Sequence, residues 1–173
     1  LFFTPSPADR FSLDIRSTRV ETPVGVAAGP HSQLAQNIVV AWLCGARVIE
    51  LKTVQTLDRI KVSKPCIDMA DEGYNCEWSQ ELKLDQSFDE YLNAWIVLHI
   101  LQDKFGWGSA DASGFIFNMS VGYNLEGIQS PTVQRFLDRM ADCSTEKEEK
   151  IVRLAHIYPR IKELHIPDCM SNK

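Results

Sequence analysis

Residues 22–53, with the sequence TPVGVAAGPHSQLAQNIVVAWLCGARVIELKT, decide the fold of this chain. The apolar run 24–28 predicts a strand that ends at a Gly-Pro turn, and the apolar run 46–51 predicts a second strand. Between them, residues 32–43 have the apolar spacing of a helix. Two parallel strands joined by a helix form a βαβ unit. Because ligands of α/β folds bind at the carboxyl ends of such strands, we expect a binding site there.

The rest of the chain continues this alternation of strands and helices. Alternating residues from 11 to 15, and a weaker pattern to residue 22, predict an N-terminal hairpin with its turn near Ser17. Apolar residues 115–120 predict a third strand, and residues 164–166 predict the start of another. Cap signals or a proline predict helix starts at four residues: Ser32, Ser87, Pro131 and Thr145. The helix that begins at Ser87 should bury one stripe: Tyr91, Leu92, Trp95, Leu98, Leu101 and Phe105. The helix that begins at Thr145 should end at Tyr158, before a proline.

Strands that alternate with helices are typical of a βα-repeat fold. A complete eight-unit barrel takes about 250 residues, whereas this chain has 173. The sequence therefore predicts an α/β fold, a partial (β/α)8 TIM barrel that comprises the first three to four βα units and an N-terminal hairpin. We expect residues 1–173 to form a single partial domain. Residues from about 54 to 84 lack a long periodic pattern, and we expect them to be an insertion over the active-site face.

Composition and charge exclude several classes of function. The net charge is −5 and the pI is near 5.4, which argues against binding to nucleic acid or to an anionic membrane surface. No apolar run approaches the roughly 18 residues that span a bilayer. The five cysteines are an odd number and none forms C-x-x-C, so we expect reduced thiols in a cytoplasmic protein and no metal site. Leu1 is not an initiator methionine, so we expect the chain to begin inside a longer protein or after disordered residues.

Two features at the predicted strand ends are candidates for a binding site. Ala27, Ala28 and Gly29 follow the first strand of the βαβ unit, and residues this small let a flat ligand approach the backbone. The alternative is tight packing of strand on helix. Lys52 follows the second strand, where an ammonium group can pair with a phosphate or with the electron-rich edge of a cofactor ring. Its alternative is a lysine that extends its charge into solvent.

Polar residues elsewhere could complete such a site. Asn75 and Glu77 lie in the long insertion, and together they offer the donors and acceptors that would bind an amide or a cyclic imide. Asn118 ends the third predicted strand and could bind a ring oxygen or nitrogen. The alternatives are an ordinary loop and a strand-end turn. His31 begins the first helix but has no base partner in the sequence, and the other histidines (His99, His156 and His165) are predicted to be surface residues.

Taken together, these segments resemble a known superfamily. The order of AAGP (27–30), a helix that contains Asn37, IELKT (49–53) and N-x-E (75–77) is similar to the first half of the flavin barrel of dihydroorotate and dihydropyrimidine dehydrogenases. A closer resemblance is to large bacterial iron–sulfur flavoproteins, which are labelled as selenate reductase subunits or as glutamate-synthase-like oxidoreductases. It extends from about Phe2 to Asp142. Five stretches carry it: PVGVAAGPHSQLAQNIV, IELKTVQTLDRI, KPCIDM, NCEWSQEL and FIFNMSVGYNLEGI.

The resemblance implies an FMN-dependent oxidoreductase and a role for each matching residue. The turn that backs onto FMN would be Ala27, Ala28 and Gly29. The lysine at the flavin edge would be Lys52, with Thr53 beside it, and Asn118 would lie near the isoalloxazine ring. The Asn-x-Glu segment that holds a pyrimidine-like substrate would be Asn75 and Glu77.

The resemblance also implies that parts of the enzyme lie elsewhere. We expect no catalytic residue in this chain, because the general acid of the superfamily would lie beyond Lys173. The FMN phosphate site and the iron–sulfur cluster of the parent protein would also lie outside this segment, so the chain alone should neither hold FMN tightly nor turn over. The expected partners are a small-molecule substrate, an electron-transfer partner or domain, and a second copy bound through exposed barrel edges. Two alternatives remain open: a non-catalytic scaffold that kept the barrel sequence, and a different (β/α)8 enzyme such as an amidotransferase partner.

Overall fold

The computed structural model of the chain describes residues 2–6, 8, 10–15, 18–52, 67–68, 75–76, 82–107, 113–119, 121 and 124–171. In chain order its strands are β1 (Leu13–Ile15), β2 (Thr18–Val20), β3 (Gly25–Val26), β4 (Val48–Leu51), β5 (Ile67–Asp68), β6 (Asn75–Cys76) and β7 (Ile116–Met119). Its α-helices are α1 (Ala35–Leu43), α2 (Leu84–Phe105), α3 (Leu125–Gln129), α4 (Pro131–Ala141) and α5 (Ser144–Leu154). Short 3-10 helices cover Pro30–Ser32 and Pro159–Glu163.

The central sheet has three parallel strands in the order β3-β4-β7. Helix α1 lies between β3 and β4 in the chain, and α2 lies between β4 and β7, which confirms the predicted order of βα units. The predicted N-terminal hairpin is also confirmed, because β1 and β2 pair antiparallel. Strands β5 and β6 form a separate antiparallel pair. The three parallel strands form an open sheet, and the described residues contain no closed barrel.

The helices cover one face of this sheet. Ile49 and Leu51 of β4 and Phe117 of β7 are buried in one hydrophobic core with residues of α1 and α2. Side chains alternate between the faces of a strand. Glu50 and Asn118, which are directly paired between β4 and β7, therefore point to the opposite face. That face corresponds to the inside of a barrel.

Helix α1 begins at Ala35 with Leu34 at its N-cap position, two residues after the cap that the sequence predicts at Ser32. The Ser32 hydroxyl instead closes a 3-10 turn, in which it lies 3.1 Å from the backbone N and from the O of Gly29. The N-terminal N–H of Ala35 is capped from a distant part of the chain, since it donates to the Glu90 carboxylate at 2.7 Å. The predicted end of the helix is confirmed, because Gly45 follows it with a φ of 109°.

Helix α2 begins at Leu84, so the capping box predicted at Ser87 is wrong. Ser87 is fully buried inside the helix, and its place at the start is taken by Lys83, whose N–H donates to the Gln86 side chain at 2.9 Å. The buried stripe is confirmed for most of its residues: Tyr91, Leu92, Trp95 and Leu98. Phe105 at the end of the helix is 41% exposed, because the last turn extends beyond the core.

The C-terminal third of the chain is helical. Helix α4 begins as predicted: Pro131 is its first residue, and the Ser130 hydroxyl accepts from the Val133 N–H at 3.4 Å. Helix α5 begins at Ser144 and ends at Leu154, and the sequence missed the short helix α3. The strand predicted at 164–166 is wrong. This segment packs on α5 instead, where Lys147 Nζ donates to the Ile166 carbonyl at 2.6 Å.

The segment that follows the hairpin contacts the amino end of the sheet. Glu21 N–H donates to the Gly114 carbonyl at 2.9 Å, and the Thr22 hydroxyl donates to the Gly45 carbonyl at 3.0 Å. Glu21 also forms an ion pair with Arg47, which is fully buried. These contacts lie at the amino end of the sheet, opposite the carboxyl ends at which α/β folds bind ligands. Within the described residues, no helix is long and apolar enough to cross a bilayer.

Candidate functional site

Three of the segments that the sequence singled out meet at the carboxyl end of the sheet. Ala27 follows β3, Lys52 follows β4, and Asn118 belongs to β7. The register pairs Val26 with Ile49 and Asn118 with Glu50, so these segments lie side by side. The parallel arrangement is the reason, because it places all three carboxyl ends along one edge.

The first segment forms what we call the small-residue shelf, Ala27-Ala28-Gly29. Strand β3 is shorter than the predicted 24–28 because the chain leaves the sheet here: Ala28 N–H donates to the Glu50 carboxylate at 3.3 Å. Ala27 and Ala28 are exposed and Gly29 is half-buried. Tight packing of strand on helix therefore does not explain the two alanines, and the shelf offers a surface without any side chain larger than a methyl group.

His31 lies against the shelf. Its Nε2 is 2.9 Å from the Ala27 carbonyl oxygen, and a Cβ added to Gly29 would come within 2.6 Å of the imidazole ring. Gly29 is thus required for this close approach. The ring itself is exposed, so His31 borders the site and has a backbone partner that the sequence does not reveal.

Lys52 is buried, with 8% of its surface exposed. The interpretation that it extends its charge into solvent is therefore wrong. Its carbonyl accepts a hydrogen bond of 2.8 Å from the Tyr91 hydroxyl on α2. Burial raises the pKa of Tyr91 well above its usual value, although a hydrogen bond from Ser87 opposes the shift, so this hydroxyl keeps its proton and remains a donor.

Asn118 is half-buried in the regular part of β7, paired with Glu50, so it is not a strand-end turn residue. It also borders a cavity of about 250 Å³ along the outer edge of β7. Trp95 of α2, Ser113 and the segment 167–171 are among the other residues that line this cavity. An amide in this position can both donate and accept a hydrogen bond at the sheet edge.

Other predicted site residues cannot be placed in this way. Thr53 and Glu77 lie outside the described residues, as does most of the insertion 54–84. The backbone of Asn75 pairs with Asp68 between β6 and β5, but its side chain is not among the described ones. The substrate side of the site therefore stays a prediction. In the described part of the chain, no group of three His, Cys, Asp or Glu side chains could hold a metal ion.

Sequence reasoning missed three residues that organise the site. Glu50 had a detectable signal, because it is a charged residue inside an apolar strand. Ser87 and Tyr91 are fully buried on α2. The sequence predicted Ser87 only as a helix cap and Tyr91 only as a core residue. The prediction that His99 is a surface residue is wrong: it is 8% exposed, packs on Trp95 and Phe115, and has its pKa lowered by burial to about 4.

Comparison with known proteins agrees with this architecture. Residues 2–167 match the family described as "Oxidoreductase YgfK, N-terminal TIM-barrel domain". The protein named "Putative oxidoreductase YgfK" from Escherichia coli strain K12 is 55% identical over 139 residues, which are 80% of this chain and 13% of that protein. The protein of the same name from Escherichia coli O157:H7 gives the same values. This chain thus spans 13% of the length of these relatives. The three parallel strands and their helices are part of a TIM barrel, as predicted.

Proposed function

Because this chain belongs to the family of the oxidoreductase YgfK N-terminal TIM-barrel domain, we propose that its parent protein is an FMN-dependent oxidoreductase. In this proposal it transfers hydride or electrons between the flavin and a small planar or amide-bearing substrate, as in proteins labelled glutamate synthase or selenate reductase. One observation carries the proposal: the small-residue shelf, Lys52 and Asn118 lie along one edge of the sheet, on the side where α/β folds bind ligands.

The described residues fit a flavin ring. An isoalloxazine is flat, and the exposed methyl groups and backbone of the small-residue shelf let a flat ring approach closely. Lys52 supplies a cation at the adjacent strand end, and the Asn118 amide supplies a donor and an acceptor. The set therefore combines an apolar face with polar groups at its border, which is typical of cofactor sites.

Each residue has a distinct task in this proposal. When bound, FMN supplies the hydride and electron chemistry. Lys52, which is 8% exposed, favours negative charge at the ring edge, and the low-dielectric surroundings strengthen that effect. Glu50 holds the shelf through Ala28 N–H. Asn118 fixes the orientation of a ring or substrate carbonyl.

The remaining parts of the proposal concern the whole protein. Asn75 and Glu77 would bind the substrate, Thr53 would lie beside Lys52, and the general acid would lie beyond Lys173. The parent protein would also carry an iron–sulfur cluster, pass electrons to a partner or domain, and work in the cytoplasm. The free thiols of Cys44 and Cys143 agree with a reducing compartment.

A flavin-binding assay tests the proposal. Full-length protein is reconstituted with FMN, and its absorption spectrum and bound flavin are measured alongside Lys52→Ala and the control Lys162→Ala, which alters an exposed 3-10 helix. We expect stoichiometric FMN in the wild type and in Lys162→Ala, and reduced FMN content in Lys52→Ala. A wild-type protein with no flavin spectrum after reconstitution would overturn the proposal.

The second candidate is a non-catalytic scaffold. It is favoured by the outer edge of β7, which pairs with no other named strand among the described residues and borders the cavity of about 250 Å³. Such an edge can accept a strand from a second copy or a partner. Unchanged flavin content and activity in Lys52→Ala would favour this candidate.

A further inference from the structure

Two segments of the candidate site, the small-residue shelf and Lys52, are connected through the start of α2. Ser87 and Tyr91 are fully buried and are separated by one helical turn, so they lie on the same face of α2. A buried hydroxyl is costly unless it has a hydrogen-bond partner. The partners of these two hydroxyls therefore reveal what this part of the helix does.

Hydrogen bonds anchor this face of α2 on two sides. The Gln33 amide donates to the Ser87 hydroxyl at 3.5 Å, and one turn further along the helix the Tyr91 hydroxyl donates to the Lys52 carbonyl at 2.8 Å. Gln33 is itself buried, with 4% of its surface exposed.

Gln33 connects this face of α2 to the small-residue shelf. Gln33 directly follows the 3-10 helix Pro30–Ser32, and Ser32 N–H donates to the Gly29 carbonyl at 2.9 Å. A second contact acts in parallel, because Glu90 of α2 caps Ala35 at 2.7 Å. Helix α2 thus contacts both the segment that leads away from the shelf and the backbone of Lys52.

We propose that Tyr91 is a positioning residue, which holds the end of β4 so that the Lys52 ammonium is aligned with the small-residue shelf, and that the contact of Ser87 with Gln33 fixes the same face of α2 to the segment that follows the shelf. This inference rests on the proposed function, because the shelf and Lys52 are its two cofactor-side elements. The Tyr91 hydroxyl donates to the backbone carbonyl of Lys52. Removing this hydroxyl therefore keeps the ammonium group itself and shifts the strand end that positions it.

The test removes one tyrosine hydroxyl at a time from the full-length protein, at Tyr91 of α2 or at Tyr158, which contacts α2. Tyr91→Phe keeps the ring and removes the hydroxyl that bonds Lys52. The matched control is Tyr158→Phe, which removes a hydroxyl that donates to Asp103 at 2.8 Å near the far end of α2. The dissociation constant for FMN, the midpoint potential of the bound flavin and the thermal midpoint are measured for both.

We expect the Kd for FMN to rise about three- to tenfold in Tyr91→Phe and to stay at the wild-type value in Tyr158→Phe. The midpoint potential should become more negative only in Tyr91→Phe, because a displaced Lys52 stabilises the reduced flavin less. A role confined to stability would lower the thermal midpoint and leave the potential unchanged, and that result would overturn the inference.

A second variant covers the case in which Tyr91→Phe does not fold. Ser87→Ala removes the hydroxyl that accepts from Gln33 on the same face of α2 and should raise the Kd in the same direction. If the wild type binds FMN and both variants match Tyr158→Phe, only this inference fails; if the wild type binds no FMN, the proposed function fails as well.

Discussion

The Glu50 carboxylate on β4 accepts a hydrogen bond from the backbone N–H of Ala28, with 3.3 Å between the two atoms. This contact joins the second strand of the sheet to the segment that leaves the first one. The side chain lies on the face opposite the helices, next to Asn118. A carboxylate in the middle of an apolar strand thus organises the backbone of the small-residue shelf.

We predict that Glu50→Ala weakens FMN binding by the full-length protein about three- to tenfold, because the shelf loses an acceptor that fixes its backbone. Glu50→Gln, which keeps an oxygen acceptor and loses the charge, should weaken binding less. Fluorescence titration of FMN measures both. The control is Glu126→Ala, an exposed residue in the first turn of α3. Equal affinity of Glu50→Ala and this control would contradict the prediction.

The ion pair of Arg47 with Glu21 should contribute strongly to stability. The Arg47 side chain is fully buried, and Glu21 is 19% exposed. Glu21→Gln leaves the buried guanidinium without its counter-charge, so we expect the free energy of unfolding to fall by about 3 kcal/mol. The exposed pair of Arg19 and Asp14 provides the control, and Asp14→Ala should change the free energy by less than about 1 kcal/mol. Urea unfolding followed by circular dichroism measures the free energy of unfolding of both variants. Similar losses in Glu21→Gln and Asp14→Ala would contradict the prediction.

The buried His99 predicts a pH dependence of stability. Burial lowers its pKa to about 4, and the nearby charges of His165 and Lys147 act in the same direction. In the unfolded chain its pKa is about 6.5. Between these two pKa values the unfolded state binds more protons than the folded state. The contribution of His99 to the free energy of unfolding is therefore complete above about pH 6.5 and is lost as the pH falls towards 4. The total loss is about 3 kcal/mol.

The variant His99→Phe tests this dependence. The free energy of unfolding is measured from pH 4 to pH 7 for the wild type, for His99→Phe and for His156→Gln, which alters an exposed histidine. The wild type and His156→Gln should lose stability more steeply than His99→Phe as the pH falls. Parallel curves for all three proteins would show that His99 does not cause the slope.

Helix α1 should depend on a cap from α2. Its Ala35 N–H donates to the Glu90 carboxylate at 2.7 Å, and the residue at its own N-cap position, Leu34, makes no side-chain cap. We expect Glu90→Ala to lower the free energy of unfolding by about 1 kcal/mol. Glu90→Gln keeps an oxygen acceptor and should recover part of this loss. No recovery, or no loss in Glu90→Ala, would rule out the cap as a source of stability.

Much of the fold could be predicted because its signals are local. The hairpin follows from alternation, the two βα units follow from apolar runs and helical spacing, and the start of α4 follows from its proline. The starts of α1 and α2 were misplaced because Ser32 and Ser87 resemble N-caps in isolation. The fold instead uses Ser32 in a 3-10 turn and buries Ser87 inside a helix.

The sequence by itself determined the βα order and the segments whose ends carry small, basic and amide residues, because periodicity and turn chemistry are encoded between near neighbours. Only the tertiary structure decided that Lys52 is buried and that Glu50 holds the shelf. It also decided that Glu90 accepts a hydrogen bond from the Ala35 N–H, 55 residues away, and that Tyr91 donates one to the Lys52 carbonyl, 39 residues away. The physical reason is that a hydrogen bond between distant segments depends on how strands and helices pack, and packing brings together residues that no local pattern relates.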